Sequence, residues 1–454
     1  MGSTAILWFR RDLRLGDNPA LAHALASADT VEPVFVLDDN LLHGRWPSPN
    51  RVWFMARSLH ALAADLAARG SRLTVLRGRP GELLPQFAAE VAASSVVVSR
   101  DYAPYGRRRD LVVAERLQER GIAFERQPGV LVHEPEEVLR AEGGHFKVFS
   151  PFQRAWQALD RRPVLAAPER MPAPVGRQGR GSARAALDDL LRASRPSADE
   201  RLIPVPGEAA ARARLDDWAE SDALKQYDGG RDRLDRAGTS RLSQDLRWGL
   251  LSPVEVLERT SGAGNGRQRF ASEICWRDFY AHLLWHQAEL ATKSFRRELD
   301  DVAWRRADDP AVDAWREGRT GYPVVDAAMR QLRESGWVHN RGRMIAASFL
   351  TKHLGVDWRV GEAHFMSHLT DGDPASNNGG WQWASSTGTD PQPYFRVFNP
   401  TLQRERYDPS GDYVRRWLPD PEADFPPPLV DHAEARREAI ARYEQRSRTG
   451  PHRG

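Results

Sequence analysis

The sequence predicts an α/β N-terminal domain, a parallel sheet wrapped by helices, joined by a long linker to a large all-α domain. Three observations lead there. Over residues 1–130, short apolar runs alternate with amphipathic ones. Over 131–206 the periodicity weakens and Pro, Arg, Ala and Gly dominate. From 207 to 454 strand signals nearly vanish and helical spacing recurs.

In the first region, residues 5–9, 31–37, 72–76, 96–99 and 123–126 read as short strands. Between them, 19–28, 52–68, 81–92 and 107–120 repeat apolar residues at helical spacing. Alternation of this kind implies βαβ units and a parallel sheet. Such sheets bind ligands outside the carboxyl ends of their strands, here residues 10–15, 38–41 and 100–105. No glycine-rich phosphate loop occurs there. Residues 168–182, punctuated by Pro and Gly, read as a long connection. Helices are expected over 209–222, 253–258, 267–290, 310–315, 323–334, 340–353, 361–369 and about 431–445, many opened by Pro or a capping Ser, Asp or Asn.

Composition excludes several classes. A chain of 454 residues holds up to about three domains of ~150 residues. The one cysteine, Cys275, rules out a disulfide framework and a cysteine-based metal site. Arg10 and Arg11 interrupt the first apolar run, so no signal peptide is expected. No apolar run approaches the ~18 residues that span a bilayer, and a soluble, cytoplasmic protein is expected. The net charge of +3 is too small to argue for nucleic acid by itself.

The densest run is Asp371-Gly372-Asp373-Pro374-Ala375-Ser376-Asn377-Asn378-Gly379-Gly380-Trp381-Gln382-Trp383. It is poor material for an ordinary helix or strand, yet carboxylates, amides and Trp faces suit a planar heteroaromatic guest. An Asn-Gly turn followed by two core tryptophans uses the same residues. Gly238-Thr239-Ser240-Arg241-Leu242-Ser243 offers hydroxyls for a phosphate seat or for helix capping. Glu273, Trp276, Arg277 and Tyr280 share one face of the helix expected over 267–290, as an ion-paired rim or a base-stacking wall. Trp337, Asn340, Arg341 and Met344 form a further cluster. His364 and His368 stand one turn apart with no Glu or Cys to complete a metal set, so no metal is expected.

These segments, with Trp8-Phe9-Arg10-Arg11-Asp12-Leu13-Arg14-Leu15, Ser272-Glu273-Ile274-Cys275-Trp276-Arg277-Asp278-Phe279-Tyr280 and Gly321-Tyr322-Pro323, resemble the photolyase and cryptochrome family along nearly the whole chain. The likeness is greatest to class I cyclobutane pyrimidine dimer photolyases. It implies a Rossmann-like antenna domain at 1–130, a linker at 131–206 and an FAD-binding catalytic domain at 207–454. By resemblance Tyr227, Thr239, Ser240, Arg241, Leu242, Ser243, Phe270 and Arg277 contact FAD, Arg343, Asp371 and Asp373 surround its flavin, and Asn377 faces flavin N5. An amide there accommodates an anionic reduced flavin, where plant-type cryptochromes place Asp and animal-type ones Cys.

The resemblance implies that excited reduced FAD gives an electron to a pyrimidine dimer flipped out of UV-damaged DNA and takes it back once the ring has opened. Glu273 hydrogen-bonds the dimer, Trp276 and Trp383 sandwich it, and Arg341 and Gln403 contact DNA. Enzymes for (6-4) lesions place histidines where this chain has Asn340 and Met344. Trp381, Trp358 and Trp304 match the tryptophan chain that reduces oxidised flavin, although the stretch from Trp304 to Trp315 is one residue longer than in close relatives.

An antenna is expected at the strand ends, with Phe35, Leu37, Asp38, Arg51, Asp101 and Arg247 as candidates by position. The surrounding motifs are most like those of 8-hydroxy-5-deazaflavin binders, which commonly place Lys at the Arg247 position. Methenyltetrahydrofolate, FMN or no antenna are the alternatives. The rival readings of function are a cryptochrome photoreceptor and a (6-4) or single-strand-restricted photolyase. Signalling members often carry a long C-terminal extension, whereas only residues 447–454 follow the last expected helix. A monomer without an obligate protein partner is expected.

Overall fold

The structure, a computed structural model, describes residues 2–172, 183–300, 302–391, 393–418 and 425–449. Strands β1 (Thr4–Phe9), β2 (Thr30–Leu37), β3 (Thr74–Arg77), β4 (Ser95–Ser99) and β5 (Ala123–Gln127) pair in parallel in the order β3-β2-β1-β4-β5. Ala5 in the central strand registers with Val31 on one side and Ser95 on the other. Its side chains feed two cores. Ile6 and Trp8 pack with Val34, Val96, Val98, Phe87 and Val113, whereas Ala5, Leu7 and Phe9 belong with Phe35, Phe54 and Leu59. Strands β1, β2 and β4 are therefore buried on both faces, which explains their largely apolar sequences, whereas the edge strand β5 is half-buried to exposed. The strand order reverses between β1 and β4, and the crevice at that switch point is where such sheets bind ligands.

Helices α1 (Pro19–Ser27), α2 (Pro49–Ala68), α3 (Pro80–Glu90) and α4 (Pro104–Gln118) each start on a proline. Apolar spacing alone places three of these starts too late. Proline suits the first turn because its missing N–H has no partner there.

The connecting stretch is more ordered than its sequence suggests. It carries α5 (Phe149–Ala158) and a helix at Ala183–Ala193, while residues 173–182 of the expected connection lie outside the described residues. Phe149 and Phe152 pack on Phe279. Trp156 Nε1 and the Val132 N–H both donate to Asp278 Oδ2, at 3.1 and 2.9 Å.

The helices that build the site are α6 (Asn265–His286), α7 (Asn340–Ser348), α8 (Trp358–His368), α9 (Pro374–Ala384) and α10 (His432–Thr449). The single helix expected over 340–353 is two elements. After Ser348 the chain widens into a π-turn, Phe349–His353, closed by Leu354 N donating to Phe349 O at 3.0 Å. Inside this turn, buried Lys352 donates through Nζ to the carbonyls of Arg396, at 2.9 Å, and Pro393, at 3.5 Å.

The sheet and the helical part are locked together. Leu13 N donates to Trp248 O at 3.1 Å. Gly249 follows at φ 63°, and a Cβ there would stand 2.0 Å from Arg11 O, so only glycine allows this approach. Arg51 of α2 reaches the carbonyls of Met366 and Leu369. Among the described residues no helix is long and apolar enough to cross a membrane.

Candidate cofactor and lesion site

The run from Asp371 to Trp383 corrects its sequence reading, because Pro374–Ala384 is an ordinary α-helix. Asp373 caps it, accepting from the Ala375 and Ser376 N–H groups at 3.0 and 2.9 Å. Tertiary contacts outweigh the poor propensity of Asn-Asn-Gly-Gly. The Tyr280 ring fills the place of a Gly379 side chain, whose Cβ would lie 2.1 Å from Tyr280 Cδ1. Burial pushes the Asp373 carboxyl up, but Arg11, Arg247, Arg277 and the Ser376 N–H outweigh it and hold it well below the usual range. Arg11 Nη2 pairs with it at 2.5 Å.

Four elements converge beside α9. Arg343 Nη2 on α7 pairs with Asp371 Oδ2 at 2.7 Å, and its Nε donates to Val338 O at 2.9 Å. Asn377 Nδ2 donates to Glu362 O on α8 at 3.1 Å. In the turn before Ser243, Arg241 takes φ 51° and its guanidinium stands 4.5 Å from the Trp337 ring centroid. Trp337 Nε1 donates to Ser243 Oγ at 3.2 Å, Ser240 Oγ accepts from the Leu242 N–H at 3.4 Å, and Leu242 is buried while Thr239 is half-buried. Tyr227, Phe270 and Trp218 pack edge to face or tilted, with centroids 5.4–5.8 Å apart. Asp371 Oδ1 and Arg241 Nε are buried without a hydrogen-bond partner. A nucleotide with a polar ring system and phosphates suits both orphans, so the residues fit FAD.

Glu273, Trp276 and Tyr280 share one face of α6. Glu273 is ion-paired with Arg231, and with Arg269 at 3.6 Å. Trp276 stacks on Phe149 of α5 at 3.7 Å and 7°, with Tyr280 tilted against it at 5.4 Å. Arg277 turns away from this stripe, donating to Val130 O at 2.7 Å. Asn340 is exposed at the start of α7, its Nδ2 3.6 Å from Met344 Sδ. Arg341 is buried, pairs with Asp232 at 2.8 Å and lies 4.3 Å from the Tyr407 ring centroid. Trp383 is half-buried against the core of the helical part, and Gln403 Oε1 is buried without a partner.

Trp381 is buried, with its ring edge against Phe365 at 5.0 Å and Trp315 at 6.1 Å. Trp358 is fully buried and donates to Ser294 Oγ at 3.2 Å, while half-buried Trp304 meets Tyr443 of α10 at 6.1 Å. Trp315 and Tyr443 escaped the sequence reading, because an isolated aromatic residue carries no signal of its neighbours.

At the switch point of the sheet lies a cavity of about 510 Å³. All six antenna candidates, Phe35, Leu37, Asp38, Arg51, Asp101 and Arg247, line it. Tyr105 OH donates to Asp38 Oδ2 at 2.6 Å, and burial first, then Asp38, pushes the phenol up to about 12. Burial lowers Arg247 to about 9, and its Nη1 has no partner although Nε donates to Gly372 O at 2.8 Å. The wall also includes Trp8, Arg45, Trp46 and Glu362, which sequence spacing does not connect.

Two family models match, DNA photolyase over residues 5–174 and the FAD binding domain of DNA photolyase over 270–423. The deoxyribodipyrimidine photo-lyase of Synechococcus is 37% identical, covering 98% of this chain and 97% of its own. Among solved structures, a bacterial class III photolyase from Agrobacterium tumefaciens superposes with TM-score 0.92 at 37% identity, covering 99% of this chain and 98% of its own. A Synechocystis cryptochrome superposes at 0.87 with 28% identity, covering 97% and 99%. The parallel sheet, the helical cradle and these full-length matches agree, and the chain belongs to the photolyase and cryptochrome family.

Proposed function

We propose that this protein splits cyclobutane pyrimidine dimers in DNA with light. The observation that carries the reading is the mouth of the site, where Asn340 meets Met344 and neither side chain can exchange a proton. The neighbouring imidazole, His339, is buried and pushed down to about 4 by burial, so it too stays neutral. A dimer that needs one electron in and one out suits a wall with no ionisable group at these two positions; a lesion whose repair needs an imidazole acid there does not.

Bound in its reduced form, FAD supplies a light-activated one-electron donor. The protein's own residues then divide the work. Arg241, Ser240, Ser243 and Thr239 seat the phosphates; Tyr227, Leu242, Phe270 and Arg277 wall the nucleotide; Asp371 and Arg343 hold the ring edge, with Asp373 behind them. Asn377, fixed by the Glu362 carbonyl, offers a neutral amide to the ring. Glu273 presents a carboxyl to the flipped dimer, and Trp276 and Trp383 flank it. Arg341 orders that wall through Asp232 and Tyr407, with Gln403 toward the DNA. Trp381, Trp358 and Trp304 conduct electrons from the surface when the flavin is oxidised.

In this reading residues 1–130 house the antenna, 131–206 the linker and 207–454 the catalytic domain of a monomer. The 510 Å³ cavity takes an 8-hydroxy-5-deazaflavin, with the unpartnered Nη1 of Arg247 meeting its anionic groups and Arg51, held by backbone carbonyls, in the wall. The deciding experiment mixes reduced protein with duplex DNA bearing a cyclobutane thymine dimer or a (6-4) lesion, in blue light and in darkness. Restoration of the cyclobutane dimer alone, in light alone, is expected. Bound, photoreducible FAD with repair of neither lesion would make the protein a photoreceptor.

A further inference from the structure

Glu362 lies on α8 between the cavity of the sheet and the flavin-facing side of α9, and nothing in the repair reading uses its carboxyl. The side chain is 1% exposed. Oε1 accepts from Asn378 Nδ2 at 3.0 Å, and Oε2 has no hydrogen-bond partner. The main-chain carbonyl of the same residue accepts from Asn377 Nδ2 at 3.1 Å. Gln382 Nε2 in turn donates to Asn378 Oδ1 at 2.9 Å, which fixes the orientation of that amide. Glu362 is also part of the cavity wall. One residue thus touches the cavity on one side and both asparagines of α9 on the other.

We propose that Glu362 is a positioning residue whose gain or loss of a proton is felt at Asn377, so that a single carboxyl links the cavity to the electrostatics of the flavin site. The inference rests on the FAD reading above. The charged groups around it are few. Arg45 Nη2, on the cavity rim and about half exposed, is 3.8 Å from Oε2. Arg359 and Asp357 act from the start of α8 itself. α9 presents only uncharged amides, Arg51 of α2 is engaged by the carbonyls of Met366 and Leu369, and Lys352 of the π-turn is turned to Pro393 and Arg396. Burial is the largest influence and raises the carboxyl to about 7 against Asn378, Arg45 and Arg359.

The protonated form leaves the site without added charge. The ionised form puts a negative charge one residue from the amide that faces the flavin, and the released proton passes to solvent. Because Gln382 and Glu362 already fix both asparagines, the proton leaves without an amide having to turn. A carboxylate at that place disfavours the arrival of an electron on a neighbouring flavin.

The test uses the full-length flavin-bound protein and E362Q, in which an amide replaces the carboxyl at the same size. The midpoint potential of the flavin is measured against pH in both. Below about 7 the two profiles should coincide, and above it wild type should fall below the variant. In parallel, infrared titration should show a carboxylic-acid C=O band that fades through the same range in wild type and is missing in E362Q. Should E362Q hold flavin poorly, Glu362→Asp, which keeps a carboxyl, should restore the step in the pH profile. Superimposable potential profiles, or a titrating band that survives in E362Q, would overturn the proposal. Protein that binds no flavin but shows the Glu362 band would count against the FAD reading alone.

Discussion

Glu273 and Trp381 each hold a packing role in the structure and, under the proposed function, a chemical one. Glu273 is tied to Arg231 and Arg269, so it is oriented before any substrate arrives. A hydrogen bond from a charged group contributes about 1.5–3 kcal/mol, so Glu273→Ala should slow repair roughly ten- to hundredfold with FAD still bound. Single-turnover repair kinetics and the flavin spectrum check this; loss of the flavin would make Glu273 a scaffold residue. The Trp381 ring packs where Gly361 has no side chain, since a Cβ there would stand 2.1 Å from Trp381 Cη2. Trp381→Phe should abolish photoreduction of oxidised FAD and spare repair by pre-reduced protein. Equal loss of both activities would reject its place in the electron path.

At the scale of the element, α9 and the π-turn each depend on a buried ionisable group. Asp373 caps α9 and pairs with Arg11, both side chains being largely buried. Removing one partner of a buried pair costs about 3–5 kcal/mol, whereas a lost cap costs ~1 kcal/mol. Asp373→Ala should therefore lower the urea midpoint more than cap loss explains. Asp373→Asn, which keeps a capping oxygen, should recover only the smaller part. Lys352 is lowered to about 7 by burial, from 10.5 in the unfolded chain. Between those values the unfolded state binds the extra proton, so this lysine makes stability rise with pH, and below about 7 its full penalty remains. Lys352→Met should flatten that rise in urea midpoints; parallel curves for both proteins would mean that the ammonium is solvated.

Across the whole molecule, the cavity of the sheet and the helical cradle share a wall. Arg247 closes the cavity on one side and donates to Gly372, between Asp371 and Asp373, on the other. Arg247→Ala should release a cavity chromophore, read as loss of its absorption band, while the FAD spectrum persists. An unchanged antenna band would place that chromophore elsewhere.

Amino-acid order alone specified the alternating α/β region and most of the helices, because periodicity and proline or capping starts are local properties. It also marked the hydroxyl turn, the Glu273 stripe and the acidic run of α9, since each compresses unusual chemistry into a few residues. It misjudged that run as irregular, because Asn and Gly are weak helix formers until Tyr280 packs on Gly379. It missed α5, whose apolar face acquires meaning only against Phe279 and Asp278. What tertiary structure decided is adjacency: Phe149 on Trp276, Arg341 against Asp232, Trp315 beside Trp381, and Glu362 between cavity and asparagines. Those pairs are far apart or unmarked in sequence, and burial and directional hydrogen bonds assign their roles only once the chain has brought them together.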